Sequence, residues 1–315
     1  MSLPEFTLVT RTQGNNRALK EGIVKPKMFV PKIVEVEPLI AGFRRMVRGN
    51  EFDICEMAIT TYICAKEHGK PFTAVPIPLV RQFHHGAIQI NTKAGIKSPK
   101  DLEGKRVGVA RGYTVTTGVW ARAVLNVQYG VDLKKVTWVL SGDEHVAEYK
   151  APSNVIPIEP GKKMEDMLAS GELVAAIGLE MEHPDVGPLI PNAQDVGLAT
   201  MKANGHYPIN HLVVIKDELI AKHPGLATDV FNAFAESKRR YVADLRAGKV
   251  ENPTAFDKLH QRVMDATGAD PLPYGLEPNR KVIEELVNNA YMQGIITKPV
   301  KPEDVLVPET WGLVG

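Results

Sequence analysis

The sequence is short of cysteine. Cys55 and Cys64 are its only two in 315 residues, and no C-x-x-C pattern joins them, which excludes a disulfide framework. Both lie on or near apolar segments and are expected to be buried free thiols, as suits a reducing compartment. Charge of one sign is lacking too: 38 basic residues face 37 acidic ones. Without a basic stripe or an acidic tail, nucleic acid is excluded as a partner. No apolar run approaches the roughly 18 residues of a membrane helix, so membrane insertion is excluded. The start, Met1-Ser2-Leu3-Pro4-Glu5-Phe6, has neither a basic n-region nor an apolar h-region. The expected location is therefore cytoplasmic, or periplasmic if a signal peptide has been removed. Dinucleotide, P-loop, G-x-S-x-G and H-E-x-x-H patterns are absent as well, which argues against nucleotide enzymes, serine hydrolases and zincins.

What is present is a well-formed globular pattern, with 44% hydrophobic and 24% charged residues over a length that allows two domains. The most informative stretch is 49–62. Gly49 is expected as the C′ glycine of a helix over 38–48. Phe52, Ile54 and Cys55 make a very short strand, and a helix is expected to begin in the small, polar segment 56–61. A strand ending in hydroxyls at a helix N-terminus leaves backbone N–H groups for a carboxylate, although Thr60 and Thr61 could equally serve as caps. The segment 107–120 has the same build, with Gly112, Tyr113, Thr114 and Thr116 at the turn.

Along the chain, strands are expected at 6–10, 28–36, 72–77, 86–91, 106–110, 136–140, 157–159, 174–179 and 211–216. Residues 11–17 form a polar loop at the end of the first strand, where ligands of open α/β sheets sit. Helices are expected at 119–129 and 164–170 and throughout the last third, at 224–248, 253–267 and 277–294. This alternation implies a mainly parallel sheet covered on both faces.

Two segments carry a fold resemblance. The run 91–109, from Asn91-Thr92-Lys93 through Ser98-Pro99-Lys100-Asp101-Leu102-Glu103-Gly104 to Val109, resembles the crossing into the second lobe of type II periplasmic-binding-protein folds. The run 211–216 resembles the return strand. The resemblance implies an α/β fold of two lobes joined by two crossing strands, with the ligand cleft between them; 1–91 and 214–315 would form one lobe and 92–213 the other. Within that fold the chain is similar to the 4,5-dihydroxyphthalate decarboxylase family. The similarity lies in 44–57, in Arg81-Gln82-Phe83-His84-His85-Gly86-Ala87-Ile88, in Tyr207-Pro208-Ile209-Asn210-His211-Leu212-Val213-Val214-Ile215, and in Tyr274-Gly275-Leu276-Glu277-Pro278-Asn279-Arg280. The chain departs from the family at Gln13-Gly14-Asn15-Asn16-Arg17, where a Tyr-Asp-Arg-like segment is usual, and at His84, where an arginine is usual.

The resemblance implies loss of CO2 from a hydroxylated aromatic carboxylic acid, a phthalate-like substrate. Such a substrate supplies its own electron sink, so no organic cofactor is required; a divalent metal is left open, since Glu180, Glu182, His183 and Asp185 are ligand types without a strong metal spacing. The reaction needs a base for a phenol, an acid for the ring carbon, and donors for the carboxylates. His84, His85 and His211 are the candidates for proton transfer, with Glu180 as a further base. Arg17 and Arg81 are candidate carboxylate clamps, beside donors from Thr60, Thr61, Gly112, Tyr113, Thr114 and Thr116. The rival expectation is a solute-binding protein that captures a small anionic or aromatic ligand, with a transporter permease as its partner. The oligomeric state is not set by the sequence.

Overall fold

The structure is a computed structural model and describes residues 2–315. The chain opens with β1 (Glu5–Val9), α1 (Gly14–Lys20), β2 (Val30–Ile33), α2 (Leu39–Gly49), β3 (Ile54–Ala58), α3 (Ile59–Glu67) and β4 (Phe72–Arg81). It continues through β5 (Ile88–Asn91), β6 (Arg106–Val109), α4 (Thr116–Tyr129), β7 (Thr137–Leu140), β8 (Val155–Pro157), α5 (Met164–Ser170), β9 (Ala175–Ile177), β10 (Val186–Pro188) and α6 (Ala193–Asn204). It closes with β11 (Ile209–Lys216), α7 (Asp217–Lys222), α8 (Leu226–Arg246), α9 (Ala255–Thr267) and α10 (Arg280–Met292). These elements form two compact units. The first comprises the chain up to Gln82, Ile209–Glu285 and Val300–Gly315; the second comprises Phe83–Pro208 and Leu286–Pro299.

The first unit holds a five-stranded sheet in the order β2-β1-β3-β11-β4. β1 pairs in parallel with β2 and β3, whereas β11 runs antiparallel to both β3 and β4. Leu8, Ile54, Val75, Ile77, Val213 and Ile215 from the sheet pack with Phe231 and Phe234 of α8. All five residues of β3 are buried, Glu56 among them. The second unit holds a six-stranded sheet in the order β10-β5-β9-β6-β7-β8, whose core joins Val107, Val109, Trp138 and Ile177 to Val124 and Leu125 of α4. Among the described residues, no helix is long and apolar enough to cross a membrane.

Several expectations shift. The polar run after the first strand is not all loop: Gly14–Lys20 is α1, because its first turn packs closely on α8. A Cβ on Gly14 would lie 2.2 Å from the Tyr241 ring, so only glycine fits. Gly49 is the last helical residue rather than the cap. The left-handed position falls on Asn50, at φ 47°, a residue whose short polar side chain tolerates that conformation. Glu56 lies within β3 rather than opening a helix. β5 already belongs to the second sheet, paired with β9, so the chain passes between units at 82/83 rather than after Asn91. Residues 186–188 and 193–204, not assigned from sequence, form β10 and α6.

Candidate functional site

The register of the first sheet brings distant side chains to one edge. Val9 of β1 lies beside Cys55 of β3, so the next residues, Thr10 and Glu56, are neighbours. On the other side β11 places Val213 opposite Glu56 and His211 opposite Ala58. Opposed residues share a face of the sheet, which makes Glu56 and His211 diagonal neighbours within reach of each other. His211 Nδ1 lies 2.7 Å from Glu56 Oε1. Thr10 Oγ1 donates to Glu56 Oε2 at 2.7 Å, and the Arg11 backbone N–H donates to the same oxygen at 3.2 Å.

These partners decide the charge of Glu56. Burial alone would raise its pKa, but the hydrogen bond and charge of His211, the charge of Arg11 and the Thr10 hydroxyl outweigh burial and bring it below the ordinary value. A carboxylate only accepts hydrogen bonds. The proton on Nδ1 of His211 is therefore committed to Glu56. The His211 side chain is 17% exposed against 0% for Glu56, and Phe43 of α2 meets the ring edge-on at 5.1 Å. A buried carboxylate behind the imidazole fixes the orientation of the ring.

Around this pair the strand ends are pinned. Asn16 of α1 donates to Thr10 Oγ1 at 2.8 Å and to the Arg11 carbonyl at 2.9 Å, and Lys20 Nζ donates to the Thr10 carbonyl at 2.8 Å. Arg81, at the end of β4, is 4% exposed and donates to Asn279 Oδ1. Asn279 is fixed in turn by the carbonyls of Pro273 and Gly275. Asn15 donates to the Leu79 carbonyl and to the Tyr274 hydroxyl.

A second polar group comes from α8 and α9. Tyr241 Oη donates to Asp257 Oδ1 at 2.6 Å and lies 2.9 Å from His260 Nδ1. Tyrosine has one proton to give; with that proton on Asp257, Nδ1 of His260 is the donor to Tyr241. His260 is drawn down to about 4, chiefly by burial and further by the charge of Arg81, against the opposing pull of Asp257 and Asp270. It is a neutral imidazole in ordinary buffers. Phe256 sits 6.5 Å from His260 and carries the Arg11 guanidinium on its other contact, 5.3 Å from the ring centre. Glu56, Arg11, Phe256 and His260 thus form a continuous chain of contacts within the first unit.

The other sequence candidates are distributed differently. Thr60 and Thr61 are fully buried in the first turn of α3. Arg17 is exposed on α1. His84 and His85 belong to the second unit: the His84 ring stacks on Trp120 at 6.4 Å, and His85 Nε2 lies 2.8 Å from Gln128 Oε1. Burial lowers the pKa of His85. Glu180 is exposed after β9, where its charge opposes the lowering of the Arg111 pKa by desolvation.

At the start of α4 the expected carboxylate donors already hold a carboxylate, that of Glu144. It accepts from the backbone N–H groups of Tyr113 and Thr114 and, at 2.7 Å, from Thr114 Oγ1. A Cβ on Gly112 would fall 2.6 Å from a Glu144 oxygen. Glu144→Ala strips these buried donors of their acceptor and should cost about 1–3 kcal/mol, measurable as a lower urea midpoint with an unchanged slope; an unshifted midpoint would show the contact to be dispensable.

Sequence reasoning did not single out Glu56, Arg11 or His260. The one available signal for Glu56 was a lone acid inside an apolar run. Among the described residues, no group of three or more His, Cys, Asp or Glu is placed to hold a metal ion.

The family model described as NMT1/THI5 like matches residues 42–155. A 4,5-dihydroxyphthalate decarboxylase of Comamonas testosteroni is 29% identical over 327 aligned positions, covering 98% of each chain. A protein of the same name from Pseudomonas putida is 37% identical over 167 positions, 48% of this chain and 64% of that relative. Among solved structures, the alkanesulfonate-binding protein SsuA of Xanthomonas axonopodis pv. citri superposes with a TM-score of 0.53 at 12% identity, covering 98% of this chain and 99% of its own. The chain has the fold of the periplasmic binding proteins and resembles the 4,5-dihydroxyphthalate decarboxylases from end to end.

Proposed function

We propose that this protein decarboxylates 4,5-dihydroxyphthalate, or a closely related hydroxylated phthalate, with His211 as the acid that protonates the ring carbon. The observation that carries the reading is the buried Glu56 carboxylate behind His211, in a chain similar over its whole length to decarboxylases of that substrate. Each carboxylate of this substrate is para to a hydroxyl. Loss of the hydroxyl proton pushes electrons to the carbon bearing the carboxylate, which takes a proton from Nε2 of the His211 imidazolium. The C–C bond then breaks, CO2 departs, and the bonding pair restores the aromatic ring as a phenolate that recovers a proton. Glu56 stabilises the imidazolium before transfer and holds the ring in place after it.

The test is turnover. Purified protein with 4,5-dihydroxyphthalate should release CO2 and form the dihydroxybenzoate, with a chelator arm to reveal any metal requirement. A solute-binding role on the same fold predicts saturable binding without CO2. That outcome would overturn the decarboxylase reading.

A further inference from the structure

We propose that Arg11 is the residue that grips a substrate carboxylate beside His211, a positioning role deepening the decarboxylase reading on which it rests. Its backbone is held from two sides, the N–H by Glu56 and the carbonyl by Asn16, so its Cα has little freedom. The side chain leaves this anchor and lays the guanidinium over Phe256 at 5.3 Å, with Nε 3.7 Å from Glu56 Oε1. That separation is an ion-pair contact rather than a hydrogen bond, so Arg11 adds its charge to Glu56 without occupying a hydrogen-bond position there. The two Glu56 oxygens already receive His211, the Thr10 hydroxyl and the Arg11 amide. Neither Nη group of Arg11 makes a hydrogen bond among the described residues, and the side chain is 35% exposed.

The result is a planar fork next to the proton donor, at the end of the strand beside β3, with an aromatic face beneath it. A guanidinium in this setting takes a carboxylate through two parallel hydrogen bonds, and the aromatic floor suits a flat ring attached to that carboxylate. The two arginines favoured by the sequence are placed differently: Arg17 projects from α1 on an exposed position, and Arg81 is buried against Asn279. Arg11, unlike these two, combines access with proximity to His211 through Glu56.

The experiment compares wild type with Arg11→Gln and Arg11→Lys, by calorimetry with 4,5-dihydroxyphthalate, phthalate and catechol, and by steady-state turnover. Arg11→Gln should weaken both dicarboxylates by roughly 10- to 150-fold, the factor set by charge-assisted hydrogen bonds. Catechol, which has no carboxylate, should bind as to wild type, and Arg11→Lys should recover part of the loss. In turnover the effect should appear mainly in KM. If wild type turns over but Arg11→Gln keeps its KM and its dicarboxylate affinities, the clamp is wrong while the decarboxylase reading stands. If wild type binds the dicarboxylates without releasing CO2 and Arg11→Gln loses them, the clamp stands and that reading falls. If wild type binds no carboxylate, both fall. Should Arg11→Gln fail to fold, Arg11→Lys decides alone, since it keeps the charge and loses the fork: dicarboxylate affinity equal to wild type would sink the proposal.

Discussion

His211→Ala is expected to lower kcat for CO2 release by roughly 10²- to 10⁴-fold, the usual weight of a positioned general acid. KM should move little, because carboxylate binding is assigned elsewhere. Glu56→Gln should lower kcat as well, for a distinct reason. An amide at the same place cannot stabilise an imidazolium, and its N–H₂ can present a donor to Nδ1, which turns the proton toward Nε2 and leaves the neutral ring unable to act in the same order. Comparing the two separates proton transfer from orientation. A His211→Ala enzyme that keeps more than half of the wild-type kcat would remove His211 from the mechanism altogether.

The second large effect concerns acid stability. His260 titrates near 4 in the fold, against an ordinary value near 6.5. Above pH 6.5 neither state is protonated there, so its contribution to folding is constant. Between about 6.5 and 4 the unfolded chain takes the proton and the fold refuses it, so stability falls as pH falls. The full difference, about 2.5 pH units, corresponds to roughly 3 kcal/mol. His85, lowered by burial, acts in the same direction. Asp257 adds its loss at lower pH: burial opposes its charge, but Tyr241 and Thr254 hydrogen bonds hold its pKa down. Denaturant unfolding at pH 7.5 and 4.5 should therefore show a loss in wild type that shrinks in His260→Phe, even though the variant starts lower for want of the Nδ1–Tyr241 bond. Equal losses in both proteins would show that His260 does not carry the effect.

The periodic parts of the fold were visible before any coordinates. Helix α5 falls at 164–170 as expected, because a short amphipathic segment closed by Gly171 leaves one solution. The apolar run 211–216 is the body of β11. The β/α alternation also pointed to covered sheets, although it could not reveal that β11 runs antiparallel to both of its neighbours. Pairing direction is decided by where the chain comes from, and β11 re-enters the first unit after more than a hundred residues spent in the second.

The chemistry was visible only in part. Three histidines suited proton transfer on residue type, and nothing local distinguished them. His211 meets a carboxylate 155 positions away, and Glu56 meets Thr10 across 46. His84 and His85 instead pack with Trp120 and Gln128 in the other unit. Glu56 itself looked like a first-turn helical acid because Ala58, Ile59, Thr60 and Thr61 follow it. Within β3 it tolerates burial only through partners that the sheet supplies. Arg17 and Arg11 are the same residue type six positions apart, yet the helix that begins at Gly14 turns one outward, while the strand end keeps the other at the sheet edge. By itself, then, the sequence determined the class of fold, the placement of most helices and strands, and the likeness to a decarboxylase family, because these rest on periodicity and on contiguous motifs. Which histidine has a carboxylate behind it, which arginine is accessible beside it, and that Glu144 takes the donors of Tyr113 and Thr114 ahead of α4 were decided by tertiary structure, since each depends on pairings between residues that no local pattern relates.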